Sequence, residues 1–79
     1  MKIQVNLFAT LVKYKPENTG RKHWIHACED GISVDALLQD LKVPRKEVKV
    51  VFVNSVRSPG DTVLKDGDRV GVFPPVGGG

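Results

Sequence analysis

The residues best suited to chemistry stand at the end of this 79-residue chain, in Phe73-Pro74-Pro75-Val76-Gly77-Gly78-Gly79. A Gly-Gly terminus has no Cβ, so it can thread a channel too narrow for any other residue, and its carboxyl carbon stays open to attack from either side. A carboxylate is a poor electrophile. Joined to AMP it becomes a reactive acyl adenylate, which sulfide would convert to a thiocarboxylate and an amine to an amide. From Val76 onward the tail reaches about 13 Å at roughly 3.3 Å per residue. That length can enter a partner's active site while the globular part stays outside. Pro74 and Pro75 cannot donate to a sheet ladder, so a strand must stop at Phe73 and leave the fold extended. Gly78 and Gly79 are therefore the candidate reacting pair, and Phe73, Pro74, Pro75, Val76 and Gly77 the candidate docking residues beside them. Phe73 has a second reading, as a plug in the core. A glycine-rich end can also be merely frayed, but the approach Val70-Gly71-Val72-Phe73-Pro74-Pro75-Val76 argues for an ordered exit.

Two other groupings could do chemistry. Cys28 is the rival sulfur site, but reactive cysteines need a basic, partly exposed setting. Glu29 and Asp30 follow it and would raise the thiol pKa, so Cys28 reads as structural. His23, His26 and Cys28 suggest a metal site. On a strand, however, only His26 and Cys28 share a face, and two ligands do not complete a zinc site. No Ser-His-Asp set, phosphate-binding glycine loop or carboxylate pair points to catalysis by the chain itself. It reads as a co-substrate, not an enzyme, with no bound cofactor and no metal, and the ATP chemistry falls to a partner.

Composition narrows the class. Apolar residues make up 41%, enough for one small globular domain. The formal charge is +3 and the pI about 9.3, yet the basic residues are scattered: Arg21-Lys22, Arg45-Lys46, Lys49, Lys65, Arg69. Three Phe, one Trp and one Tyr give no aromatic platform among them, so nucleic acid is not the expected partner. An acidic patch on a protein explains the balance as well. The apolar run Val50-Val51-Phe52-Val53 is too short to span a bilayer. No signal peptide opens the chain, and the single cysteine agrees with a reducing compartment. A cytoplasmic location, away from membranes, is the expectation.

The elements that must position the tail follow from periodicity. Ile3, Val5 and Leu7 alternate with Lys2, Gln4 and Asn6, a half-buried strand. Ala9 to Tyr14 is spaced as a short helical turn, and Pro16 to Gly20 is a loop. His23 to Glu29 predicts a second strand, antiparallel to the first. Ser33 is a good N-cap with Asp35 in the first turn. Val34, Leu37, Leu38 and Leu41 then form one apolar stripe, ended by Pro44. At about eight residues this helix is marginal alone and must pack on a sheet. Val48 to Val53 predicts a well-covered strand, Asn54-Ser55 a turn into a short extended piece at Val56-Arg57, and Pro59-Gly60 and Asp66-Gly67-Asp68 further turns. Arg69 to Phe73 is the last strand. The fold class is α+β: a four- to five-stranded mixed sheet with one main helix on one face, spanning residues 1–73, and a flexible tail over 74–79. First and last strands lying parallel in the middle would put the tail at one end of the sheet.

Three stretches then carry a resemblance over nearly the whole chain: Ile3-Gln4-Val5-Asn6-Leu7-Phe8-Ala9-Thr10-Leu11, Ser33-Val34-Asp35-Ala36-Leu37-Leu38, and Asp66-Gly67-Asp68-Arg69-Val70 through Phe73-Pro74-Pro75-Val76 to Gly78-Gly79. They resemble the MoaD/ThiS family of ubiquitin-like sulfur carriers, most of all its molybdopterin synthase small-subunit branch. The resemblance implies a β-grasp (ubiquitin-like) fold. It also implies adenylation of Gly79 by a ubiquitin-activating-type enzyme at the expense of ATP, then thiocarboxylation from a sulfur donor such as a persulfide enzyme. In the molybdopterin branch the sulfur is delivered within the synthase large subunit. The paired prolines favour that branch over thiamine. Gly77 stands where the family often has alanine, Ser55 where glycine is usual, and Lys15 to Lys22 match no family pattern. A carrier for thiamine, tRNA thiolation or amino-acid synthesis remains open, as do a protein conjugator and a β-grasp interaction module with a chemically idle tail.

Overall fold

The computed structural model describes residues 1–16 and 23–75. The expected tail beyond Pro75, with Val76, Gly77, Gly78 and Gly79, and most of the Lys15–Lys22 loop lie outside the described residues. Strands β1 (Lys2–Leu7), β2 (His23–Ala27), β3 (Val50–Val53), β4 (Val56–Ser58) and β5 (Arg69–Phe73) form one sheet in the order β2-β1-β5-β3-β4. β1 and β5 run parallel at its centre, and the other neighbours are antiparallel. One α-helix, α1 (Val34–Asp40), covers one face. This is the β-grasp arrangement, with five strands rather than four because Val56–Ser58 pairs fully with β3.

Alternation sets the core. Ile3, Val5 and Leu7 of β1, Val51 and Val53 of β3, and Val70 and Val72 of β5 are all buried against Val34, Leu37 and Leu38 of α1. Leu11, from a 3-10 turn over Ala9–Tyr14, and Leu64 close the ends. The Ser33 hydroxyl caps α1 by accepting from the Ala36 N–H at 3.1 Å.

The helix stops earlier than Pro44 requires. Lys42 adopts φ +60°, the Val43 N–H reaches the Leu38 carbonyl at 2.9 Å and the Lys42 N–H reaches Gln39 at 3.0 Å. These two bonds make a Schellman cap with Lys in the position glycine usually takes. Leu41 becomes the half-buried C-cap, not a full member of the stripe.

Two strand boundaries also differ from expectation. β3 starts at Val50 rather than Val48, because Pro44 is followed by a 3-10 turn over Arg45–Glu47 whose last bond, Val48 N–H to Arg45 carbonyl, holds Val48 off the ladder. β2 ends at Ala27, one residue before the Cys28 N–H bonds to the Met1 carbonyl at 3.0 Å. The two 3-10 turns are tied together by the Tyr14 hydroxyl, which donates to Glu47 Oε2 at 2.6 Å, with Lys13 Nζ 3.4 Å from Oε1. The Tyr14 bond, then Lys13, holds the Glu47 carboxyl below its ordinary range. A depressed acid contributes stability above its unfolded-state pKa, and that contribution is lost as pH falls through the folded value.

The β3–β4 turn puts both central residues, Asn54 and Ser55, at positive φ, +52° and +70°, as a type I′ hairpin demands. Asn54 suits this and gains two anchors on the start of β5. Its Oδ1 accepts from the Arg69 N–H and its Nδ2 donates to Asp68, both at 2.9 Å. Ser55 has no such compensation. Ser55→Gly is expected to stabilise the domain by about 1 kcal/mol, less the chain entropy glycine adds to the unfolded state, measurable as a higher urea midpoint at unchanged slope.

Candidate functional site

Two neighbours hold the end of β5. On one side the Lys49 N–H donates to the Phe73 carbonyl at 2.8 Å, and Val50 stands opposite Phe73. On the other, the Phe8 N–H donates to Val72 at 3.2 Å. Pro74 is half-buried and Pro75 exposed, so the chain leaves from one end of the sheet.

Val70 and Val72 point into the core, so by the period of two Arg69, Gly71 and Phe73 face the open side of the sheet, away from α1. Phe73 is therefore not a core plug. Its ring stacks on Phe8 with centroids 4.1 Å apart and planes 7° from parallel, and meets Phe52 edge-on at 5.5 Å and 84°. Gly71 makes the arrangement possible: a Cβ there would lie 3.3 Å from Phe8 Cε2 and 3.4 Å from Phe73 Cε1. The three rings border a shallow concavity of about 430 Å³, shared with Asn6 and Arg69, and the side-chain carbonyl of Asn6 is buried without a partner.

Phe8 and Phe52 are site residues the sequence reading missed. The signal was available for Phe52, which lies between core residues Val51 and Val53 and must face the opposite side. An apolar cluster on the uncovered face of an antiparallel-flanked sheet is an association surface unless something covers it. Truncating the central ring should expose how much of the affinity it carries. Phe73→Ala is expected to weaken binding of a protein that docks on this face by about 30-fold, the usual weight of an aromatic anchor near 2 kcal/mol. Calorimetric titration would read this, with a melting curve to confirm that the fold persists.

The other candidates sit apart from this patch. Cys28 is half-buried, and burial pushes its thiol up. Asp40, Asp30 and Asp66 add to that, while the Met1 ammonium opposes it. The direction is the expected one, but burial is its main cause, and the acidic contribution comes from Asp40, Asp30 and Asp66 rather than from the pair Glu29 and Asp30. His23 faces away from His26, whose ring lies edge-on to Trp24 at 6.3 Å. Among the described residues no helix is long and apolar enough to cross a membrane.

Comparison with known proteins places this geometry. The profile of the ThiS family matches residues 5–79. No curated protein matches the chain. Among solved structures, a protein of Pyrococcus furiosus assigned as molybdopterin converting factor subunit 1 is 30% identical, with 95% of this chain and 98% of that one covered and a TM-score of 0.69. The HVO 2177 protein of Haloferax volcanii is 27% identical over 100% of this chain and 87% of its own, with a TM-score of 0.77. A Helicobacter pylori complex of subunits 1 and 2 of molybdopterin-converting factor contains a chain of the same fold, 24% identical, covered 100% both ways, with a TM-score of 0.60.

Proposed function

Because the chain belongs to the ThiS family of small ubiquitin-like proteins, we propose that it is a sulfur carrier: a co-substrate whose Gly79 carboxylate is activated by another enzyme and loaded with sulfur. The observation that carries this reading is the reach of the family match through the last residue, Gly79, beyond the point where β5 ends at Phe73.

The chemistry assigned to the tail is acyl transfer. The Gly79 carboxylate attacks the α-phosphorus of ATP and pyrophosphate leaves. Hydrosulfide then attacks the carbonyl carbon of the acyl adenylate, the bond to AMP breaks, and a thiocarboxylate remains. If the donor is a persulfide, the first product is an acyl disulfide, and a thiol must reduce its S–S bond to release the thiocarboxylate. The globular part supplies recognition. Ordering the tail costs about 1–2 kcal/mol per residue in backbone entropy, and side-chain-free glycines offer little in return. The Phe8–Phe52–Phe73 patch at the exit is the part of the surface able to offset that cost.

Within the family we assign the chain to the molybdopterin branch, with a synthase large subunit as the acceptor. The support is the 30% identity to the Pyrococcus protein over 95% of the chain together with the Pro74-Pro75 pair. The Helicobacter chain of the same fold, solved with subunit 2, is consistent with a two-subunit assembly. The test is intact mass after incubation with the adenylating enzyme, ATP and sulfide. The full chain should exchange one oxygen for one sulfur, and the chain lacking Gly79 should not. Sulfur uptake by the truncated chain would remove the reading. Stable adducts on lysines of other proteins, with no thiocarboxylate, would replace it with a conjugator.

A further inference from the structure

Cations gather beside the point where the chain leaves the sheet. Arg45 stands in the 3-10 turn after Pro44, Lys49 just before β3, and Arg57 in β4. With Ser58 and Pro59 they line a second concavity, of about 380 Å³. Arg45 is engaged by Asp35, Nε to Oδ1 at 3.4 Å. Lys49 and Arg57 are exposed, and among the described residues neither has a carboxylate partner. Both are tied in register to the aromatic patch. The Lys49 backbone bonds the Phe73 carbonyl, and Arg57 pairs with Phe52 across the β3–β4 ladder.

The far end of the sheet carries charges of both signs. There the turn Lys65–Asp68 is pinned to the start of β1 by the Lys2 N–H donating to Asp66 at 2.7 Å and the Gly67 N–H to the Lys2 carbonyl at 2.8 Å. That turn brings Asp66 and Asp68 together, while Asp30 lies 3.0 Å from the Met1 ammonium. The opposite end thus mixes Asp30, Asp66 and Asp68 with Lys2, Lys65, Arg69 and the Met1 ammonium, while the exit carries Lys49 and Arg57 with no carboxylate partner among the described residues.

We infer that Lys49 and Arg57 form the electrostatic half of the docking surface, matched by an acidic rim around an apolar socket on the adenylating enzyme. This rests on the carrier reading and adds the chemistry of the partner's surface. Adenylation is the step that every tail-activated reading requires. The reacting segment beyond Pro75 offers only Val76 as a side chain, so the enzyme must recognise the globular flank. Unpaired charge beside an apolar anchor accelerates encounter and fixes orientation more than it adds affinity, and the effect fades as salt shortens the screening length.

The test is steady-state adenylation by the ubiquitin-activating-type enzyme of the same organism, at saturating ATP and with the full chain, across ionic strength. In Lys49→Gln/Arg57→Gln, KM for the carrier should rise about tenfold at low salt with kcat unchanged, and the wild type should converge on the variant as salt increases. Lys2→Gln/Lys65→Gln removes the same charge at the opposite end and should keep the wild-type KM. Equal KM in wild type and the first variant overturns the inference, as does an equal rise in both variants, which would make net charge the cause. A change in the sedimentation of the free carrier without a change in KM assigns the surface to a second copy and also overturns it. A wild type that is never adenylated refutes the carrier reading itself, a result distinct from a normal wild type with an indifferent variant.

Discussion

Gly78→Val should reduce adenylation of the carrier at least 100-fold while leaving its stability within about 0.5 kcal/mol of the wild type. On the proposed reading Gly79 still supplies the carboxylate, so the reacting group and its intrinsic reactivity are unchanged. What changes is the approach. Valine adds three carbons one residue from the reacting carbonyl and restricts the backbone to the β and α regions. A channel shaped for a chain without Cβ atoms would hold the carboxylate short of the α-phosphorus, and a displacement of about 1 Å is enough for a loss of this size. The fold should be indifferent, because β5 ends at Phe73 and the core residues it contributes are Val70 and Val72. Pyrophosphate release measured against carrier concentration separates the outcomes. A fall in kcat with little change in KM would show that the globular surface still docks and the tail fails to arrive. A variant as active as the wild type would mean the tail is not threaded, and the case for a slim terminus would be lost.

The same strand explains what could be read from the sequence and what could not. Strict alternation in Ile3-Val5-Leu7 and Val70-Val72 made β1 and β5 legible, and their apolar halves sufficed to place a helix on one face. The Ser33 cap was legible because the hydroxyl acts within its own turn. The sequence reading left Phe73 open between core and surface, although the inward alternation of Val70 and Val72 already turns it to the open face. What has no local signature is the register with β3, which sets Phe73 opposite Val50 and Phe52 opposite Gly71 and so brings the rings together. The early end of α1 was hidden for a related reason. Lys42 is not a residue whose type announces a left-handed cap, and only the closing bonds from Lys42 and Val43 reveal it. The basic flank was hidden too. Arg45, Lys49 and Arg57 looked scattered because the sequence separates residues that the β3–β4 hairpin brings together.

Leu37→Ala tests the other face of the same sheet and should cost about 3 kcal/mol, in the middle of the range for emptying a buried leucine site. Leu37 has no exposed surface and lies at the centre of a helix of seven residues. A helix that short does not persist alone, so the stripe of Val34, Leu37 and Leu38 on the sheet is what keeps it formed. For a domain of this length total stability is of order 5–10 kcal/mol, and the expected fall in melting temperature is roughly 15 °C. Val63→Ala serves as the control, since Val63 is 59% exposed and should shift the midpoint little. The functional consequence is specific. α1 and the Phe8–Phe52–Phe73 patch occupy opposite faces, so at temperatures where the variant is still folded its KM for adenylation should equal that of the wild type, and activity should fall only with the folded fraction. If KM rises while the protein remains folded, the sheet is transmitting strain from core to patch, and the two faces do not act independently.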